Sequence, residues 1–206
     1  MDADGDLDIV ANTDDRHFWF YENTGTSSAA SFVLRTAKPE PIAGLPMSDF
    51  WGFALGDIDS DGDLDLVTAR RAGQFLLKRN PTGDPLPPPI SAWEATSSAN
   101  PFAGLDVGTH ATPSFGDWDG DGDPDLVAGF RLGLIGELYG SENTGNARNP
   151  RFASLVSMVD AHLEQWVTAP ALGDLDHDGD LDVVSGEPDG RFFYSRNDGD
   201  AKPSCP

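Results

Sequence analysis

The sequence predicts an all-β fold, a β-propeller-type repeat array of four-stranded antiparallel blades. Three observations predict it. An Asp-rich loop recurs four times about sixty residues apart, an Asn-led turn recurs in phase with it, and the text between them carries short strand-like apolar runs.

The loop segments read MDADGDLDIVA from Met1, GDIDSDGDLDLVTA from Gly56, GDWDGDGDPDLVAG from Gly116 and GDLDHDGDLDVVSG from Gly173. Asp2, Asp59, Asp119 and Asp176 occupy the third loop position, at intervals of 57, 60 and 57 residues. Asn23, Asn80 and Asn197 each follow the last Asp of their loop (Asp8, Asp65, Asp182) by 15 residues. Asn143 follows Asp125 by 18, which predicts a three-residue insertion near 132–136. The text around these Asn residues (ENTG, NPTG, ENTG, NDG) is turn chemistry, because Asn bonds its own backbone and Gly accepts unusual dihedrals.

The strands follow in order within each repeat. The runs 7–11, 64–69, 126–129 and 181–185 are short and rich in Val, Ile and Leu. Second strands are predicted over 18–21, 74–77 and 191–194, before the Asn turns, and third strands near 31–35 and 151–156. The stretches leading into each loop, such as 112–115 and 169–172, read as the fourth. Helical periodicity is not sustained, and 158–165 is the best candidate for a turn of helix. Four short strands per repeat is one propeller blade; a parallel β-helix has a shorter period. The repeats span 1–48, 49–107, 108–165 and 166–206, the first and last incomplete, giving about three and a half blades.

The GD-x-D-x-DGD-x-D loop, the apolar strand after it, the Y-x-N-T-G turn and a Phe-led strand together resemble the FG-GAP/VCBS repeats, the calcium-loop blades of integrin α-subunit-like propellers. Phe115–Gly116 retains the Phe-Gly pair, whereas the other loops carry Leu55–Gly56 and Leu172–Gly173. The resemblance implies a propeller fold and calcium.

The residues point to the same ion. Calcium takes six to eight hard oxygen ligands. Alternating Asp at loop positions 1, 3 and 5 can converge on one point, Gly at position 6 permits the sharp turn, the position 7 carbonyl can face the ion, and the position 9 carboxylate closes the shell. The expected ligands are Asp57, Asp59, Asp61, Asp63 (backbone) and Asp65; Asp117, Asp119, Asp121, Asp123 (backbone) and Asp125; and Asp174, Asp176, Asp178, Asp180 (backbone) and Asp182. The first loop is truncated, with Asp2, Asp4, Asp6 and Asp8 at positions 3, 5, 7 and 9, so a fourth ion there is held more weakly or completed from elsewhere. An EF-hand is excluded because position 12 is Thr68, Ala128 or Ser185 instead of Glu, and strands follow. Zinc lacks a His or Cys cluster, and magnesium prefers fewer protein ligands. Without a cation, each close carboxylate pair costs on the order of 1 kcal/mol even in water. The ions are expected to be structural, linking the strands of each blade.

Composition limits the partners. The net charge is −22, and nineteen of the 35 acidic residues lie in the four loops. Such a surface repels nucleic acid and anionic membranes. No apolar run approaches the roughly 18 residues of a membrane span. The single cysteine, Cys205, permits no internal disulfide. Trp19, Trp51, Trp93, Trp118 and Trp166 suit blade packing better than sugar stacking, with Trp118 expected to be the most exposed. His17, His110 and His162 are scattered, and His177, at loop position 4, is expected to face solvent. No nucleophile elbow, HExxH or phosphate loop is present, and the metal accounts for every clustered Asp, so no enzyme is expected.

Two roles fit. One is an extracellular or cell-surface adhesion or ligand-recognition module, taking a protein or carbohydrate ligand. The other is a structural subunit of a calcium-stabilised filament or scaffold, a homo-oligomer joined through open blade edges or part of a larger propeller. Millimolar extracellular calcium suits sites of this kind.

Overall fold

The computed structural model describes residues 5–12, 18–35, 50–80, 94–95, 100–132, 135–146, 148–158, 169–186 and 190–199. These form four antiparallel sheets of three or four strands, each a simple meander. The first holds β1 (Ile9–Asn12), β2 (Phe18–Asn23) and β3 (Phe32–Leu34). The second holds β4 (Phe50–Gly56), β5 (Asp65–Arg70), β6 (Phe75–Arg79) and β7 (Glu94–Ala95). The third holds β8 (Thr109–Gly116), β9 (Asp125–Leu132), β10 (Ile135–Ser141) and β11 (Val156–Ser157). The fourth holds β12 (Ala169–Gly173), β13 (Asp182–Gly186) and β14 (Phe192–Ser195). The chain is all-β, and the sheets form a propeller-like array with no closed ring among the described residues.

Strand periodicity explains the stacking. Side chains alternate between the two faces of a sheet. On β9, Leu126 and Ala128 join Val67, Ala69, Phe75 and Leu77 of the second sheet in one core. Val127, between them in sequence, faces the other way and meets Val183 of the fourth sheet. Central strands buried on both faces need the continuous apolar runs that the sequence shows. Phe102 fills the larger core, stacked on Phe152 at 4.5 Å between ring centroids and tilted against Phe75 and Phe115.

The strands that lead into the Asp loops lie side by side, with β8 in contact with both β4 and β12. Glycine permits this approach: a Cβ on Gly52 would lie 2.5 Å from the carbonyl oxygen of Ala111. Asn197 Nδ2 donates to the Trp118 carbonyl at 3.0 Å, tying the turn of the fourth sheet to the loop of the third.

Several expectations change. Trp118 is half-buried and packs with Val127, Leu138 and Val183; Trp51 is more open, at 39% exposure, edge-on to His110. Trp118 is drawn in because the neighbouring sheet presents an apolar face at that point. The predicted third strand over 151–156 reduces to an isolated bridge at Phe152 and the two-residue β11, since the Asn143 turn captures the Arg151 amide. The short β7 carries no apolar signal in the sequence. The insertion near 132–136 lengthens the β9–β10 hairpin: Leu126 pairs with Ser141, whereas Leu66 pairs with Lys78. Of the helical candidate at 158–165, residues 159–165 lie outside the described residues, as do Trp93, Trp166, His17, His162 and Cys205. No helix among the described residues is long and apolar enough to cross a membrane.

Candidate metal centres

In the second, third and fourth sheets the Asp loop joins the first strand to the second, so position 1 leaves one strand as position 9 enters the next. Two left-handed residues fold each of these loops. Position 6 is glycine in all of them, at φ +98° (Gly62), +95° (Gly122) and +101° (Gly179), and in the first loop Gly5 is at +99°. Side chains are strained in that region. Position 4 is also left-handed, at Ser60 (φ 52°), Gly120 (75°) and His177 (66°), a requirement not evident from residue type because only one of the three is glycine. His177 is exposed, as its position implies.

The two turns gather the carboxylates. One oxygen each from Asp57, Asp59 and Asp61 lies within 4.8 Å of the others, and the same holds for Asp117, Asp119 and Asp121 and for Asp174, Asp176 and Asp178. Backbone amides orient them. Position 1 accepts from position 6: Gly62 N–H to Asp57 at 3.0 Å, Gly122 to Asp117 at 3.0 Å and Gly179 to Asp174 at 3.3 Å. Position 5 accepts from position 7: Asp63 N–H to Asp61 at 3.0 Å, Asp123 to Asp121 at 3.0 Å and Asp180 to Asp178 at 3.1 Å.

Position 9 has a role that the sequence reading missed. Asp65, Asp125 and Asp182 are buried, and each accepts the backbone N–H of the landmark Asn, at 2.9, 2.7 and 2.9 Å. The second oxygen of Asp125 accepts the Trp118 amide at 2.9 Å, and that of Asp182 accepts the Leu175 amide and the Tyr194 hydroxyl, both at 3.1 Å. These carboxylates pin the loop to the Asn turn and lie outside the three-carboxylate groups. Asp8 accepts from Asn23 in the same way at 2.9 Å, whereas Asp2 and Asp4 lie outside the described residues. Spacing alone holds the signal, since three of the four Asn residues lie 15 residues after their Asp and Asn143 lies 18 after Asp125.

Whether a hard cation fits can be tested on the oxygens themselves. Oδ1 of Asp59, Asp117 and Asp174 are buried with no hydrogen-bond donor among the described residues. A buried carboxylate oxygen without a partner is costly. An all-oxygen donor set with orphaned inward oxygens fits calcium. Burial raises Asp65 to about 7 and Asp125 to about 6, and also raises Asp59, where the Arg79 guanidinium opposes it. Asp182, though buried, is held below the usual range by the Asn197 amide.

Two arginines also reach the loops. Arg79 Nη1 bonds Oδ2 of Asp59. Arg196 pairs with Asp176 at 3.0 Å, Asp178 at 3.1 Å and Asp198 at 2.6 Å. Both immediately precede a landmark Asn, a signal available in the aligned repeats.

Fold and site together define an all-β repeat protein with Asp-rich hairpin loops. Residues 1–68 match the model of the FG-GAP-like repeat family. The same loop-and-turn unit recurs beyond that stretch. No curated protein matches the chain.

Proposed function

We propose that the chain is a calcium-binding extracellular β-propeller repeat module for adhesion or ligand recognition, with calcium structural in the blade loops. The observation that carries this reading is the convergence of three carboxylates in each of three loops, with buried oxygens that no donor among the described residues satisfies. An ion there supplies positive charge at the junction of two strands. Asp57, Asp59 and Asp61, and their counterparts in the next two loops, would hold it. The clustered acids are then ligands, and a catalytic role for them is unnecessary. Extracellular calcium would keep such sites filled. A protein or carbohydrate ligand would meet the blade surface.

Thermal unfolding of metal-stripped protein tests the reading. Millimolar calcium is expected to raise the melting temperature through preferential binding to the folded state. An unchanged melting temperature contradicts it.

One observation favours the second role, a filament or scaffold subunit. The outer strands of both three-stranded sheets expose apolar side chains, Phe32 and Val33 on β3 and Phe192 (78% exposed) and Tyr194 on β14. Unpaired strand edges recruit other strands. Calcium-dependent polymers in size-exclusion chromatography would support this role, and a discrete monomer retained on glycan or protein arrays the first.

A further inference from the structure

The residue before each landmark Asn is Glu22, Arg79, Glu142 and Arg196 in turn. The backbone bond from that Asn to the position 9 carboxylate fixes the preceding residue beside its own loop. We infer that Arg79 and Arg196 are built-in counterions that hold the second and fourth loops in shape without metal and lower the calcium affinity of those loops. This rests on the calcium reading.

The geometry differs loop by loop. In the second, the guanidinium of Arg79 bonds the position 3 carboxylate, whose side chain is only 10% exposed. In the fourth, Arg196 spans the position 3 and position 5 carboxylates and remains 52% exposed. In the third, Glu142, Asp119 and Asp125 line one cavity of about 90 Å³. In the first, Glu22 is taken by Arg35, Nε to Oε2 at 2.7 Å. A guanidinium at the cluster neutralises part of the charge that attracts a divalent ion and repels the ion directly. It also lowers carboxylate repulsion in the empty loop. Both effects act at the second and fourth loops.

Calorimetric titration of calcium chloride into the metal-stripped full chain, paired with melting curves, tests this. Arg79→Gln is expected to tighten one class of site on the order of tenfold. It should lower the melting temperature of the metal-free protein while leaving that of the calcium-saturated protein unchanged. A purely structural arginine would lower both. Arg196→Gln, at a more exposed residue, provides the same comparison where Arg79→Gln fails to fold. Unaltered affinities in the variants, with calcium still bound by the parent chain, overturn this inference alone. No uptake by the parent overturns it together with the calcium reading.

Discussion

The backbone N–H of Asn80 donates to Oδ1 of Asp65 at 2.9 Å, across fifteen residues of chain. The same bond joins Asn23 to Asp8, Asn143 to Asp125 and Asn197 to Asp182. It closes each Asp loop against the turn after the next strand and makes the carboxylate part of the blade. The Asn side chain then orders its own turn: Oδ1 of Asn143 accepts the amides of Gly145 and Arg151 at 3.1 and 2.9 Å.

Because this bond involves no metal, its loss is expected to matter with or without calcium. Asp125→Ala strips acceptors from the Asn143 and Trp118 amides and should destabilise the protein by about 3 kcal/mol. Asn143→Ala keeps the backbone donor and loses only the side-chain acceptor, for about 1 kcal/mol. Urea unfolding of metal-stripped protein checks both, and the order of the two effects is the diagnostic result.

Loop conformation makes a separate prediction. Gly122 has φ +95° and nothing within 4 Å of a built Cβ, so Gly122→Ala meets backbone strain without a clash and should cost about 1–2 kcal/mol. His177, already left-handed at 66°, should gain about 0.5 kcal/mol as Gly. Thermal melts at saturating calcium measure the pair; a stabilising Gly122→Ala would refute the loop geometry.

Gly52 tests the approach of adjacent blades. Its Cβ position is blocked by the Ala111 carbonyl at 2.5 Å, so Gly52→Ala must push β4 from β8. A loss of about 2 kcal/mol in denaturant unfolding is expected. Tolerance of alanine would mean that the strands are not so close.

The pH dependence should weaken with calcium. Burial raises Asp65 to about 7 and Asp125 to about 6, from 3.8. A carboxyl whose folded pKa is raised contributes stability that is complete below pH about 4 and is lost as pH rises through 6–7. Asp182, held low by the Asn197 amide, acts in the opposite sense and only at the acid end. The metal-free protein should therefore melt higher near pH 5 than near pH 8. A cation in the adjacent three-carboxylate groups favours the ionised form of these neighbouring carboxylates. The calcium-induced rise in melting temperature should thus be larger near pH 8. A calcium effect indifferent to pH would contradict this coupling.

The all-β fold and the loop positions are legible in the sequence because both depend on local pattern. Short continuous apolar runs mark β5, β9 and β13, and the Asp-Gly spacing marks the loops. The three-residue insertion was readable because the Asp-to-Asn distance is otherwise constant. What was not legible depends on neighbours in space. Trp118 is sheltered by residues from another sheet, β7 pairs at only two positions, and Arg79 reaches Asp59 only once β5 and β6 are folded. The left-handed position 4 escaped notice because Ser60 and His177 do not announce it.

Calcium bound in excess of the bath, measured once the stripped chain is dialysed to equilibrium against millimolar calcium, tests most directly whether the Asp clusters hold the ion. At least three ions per chain are predicted, one for each group of converging carboxylates. A chain that retains none contradicts the account.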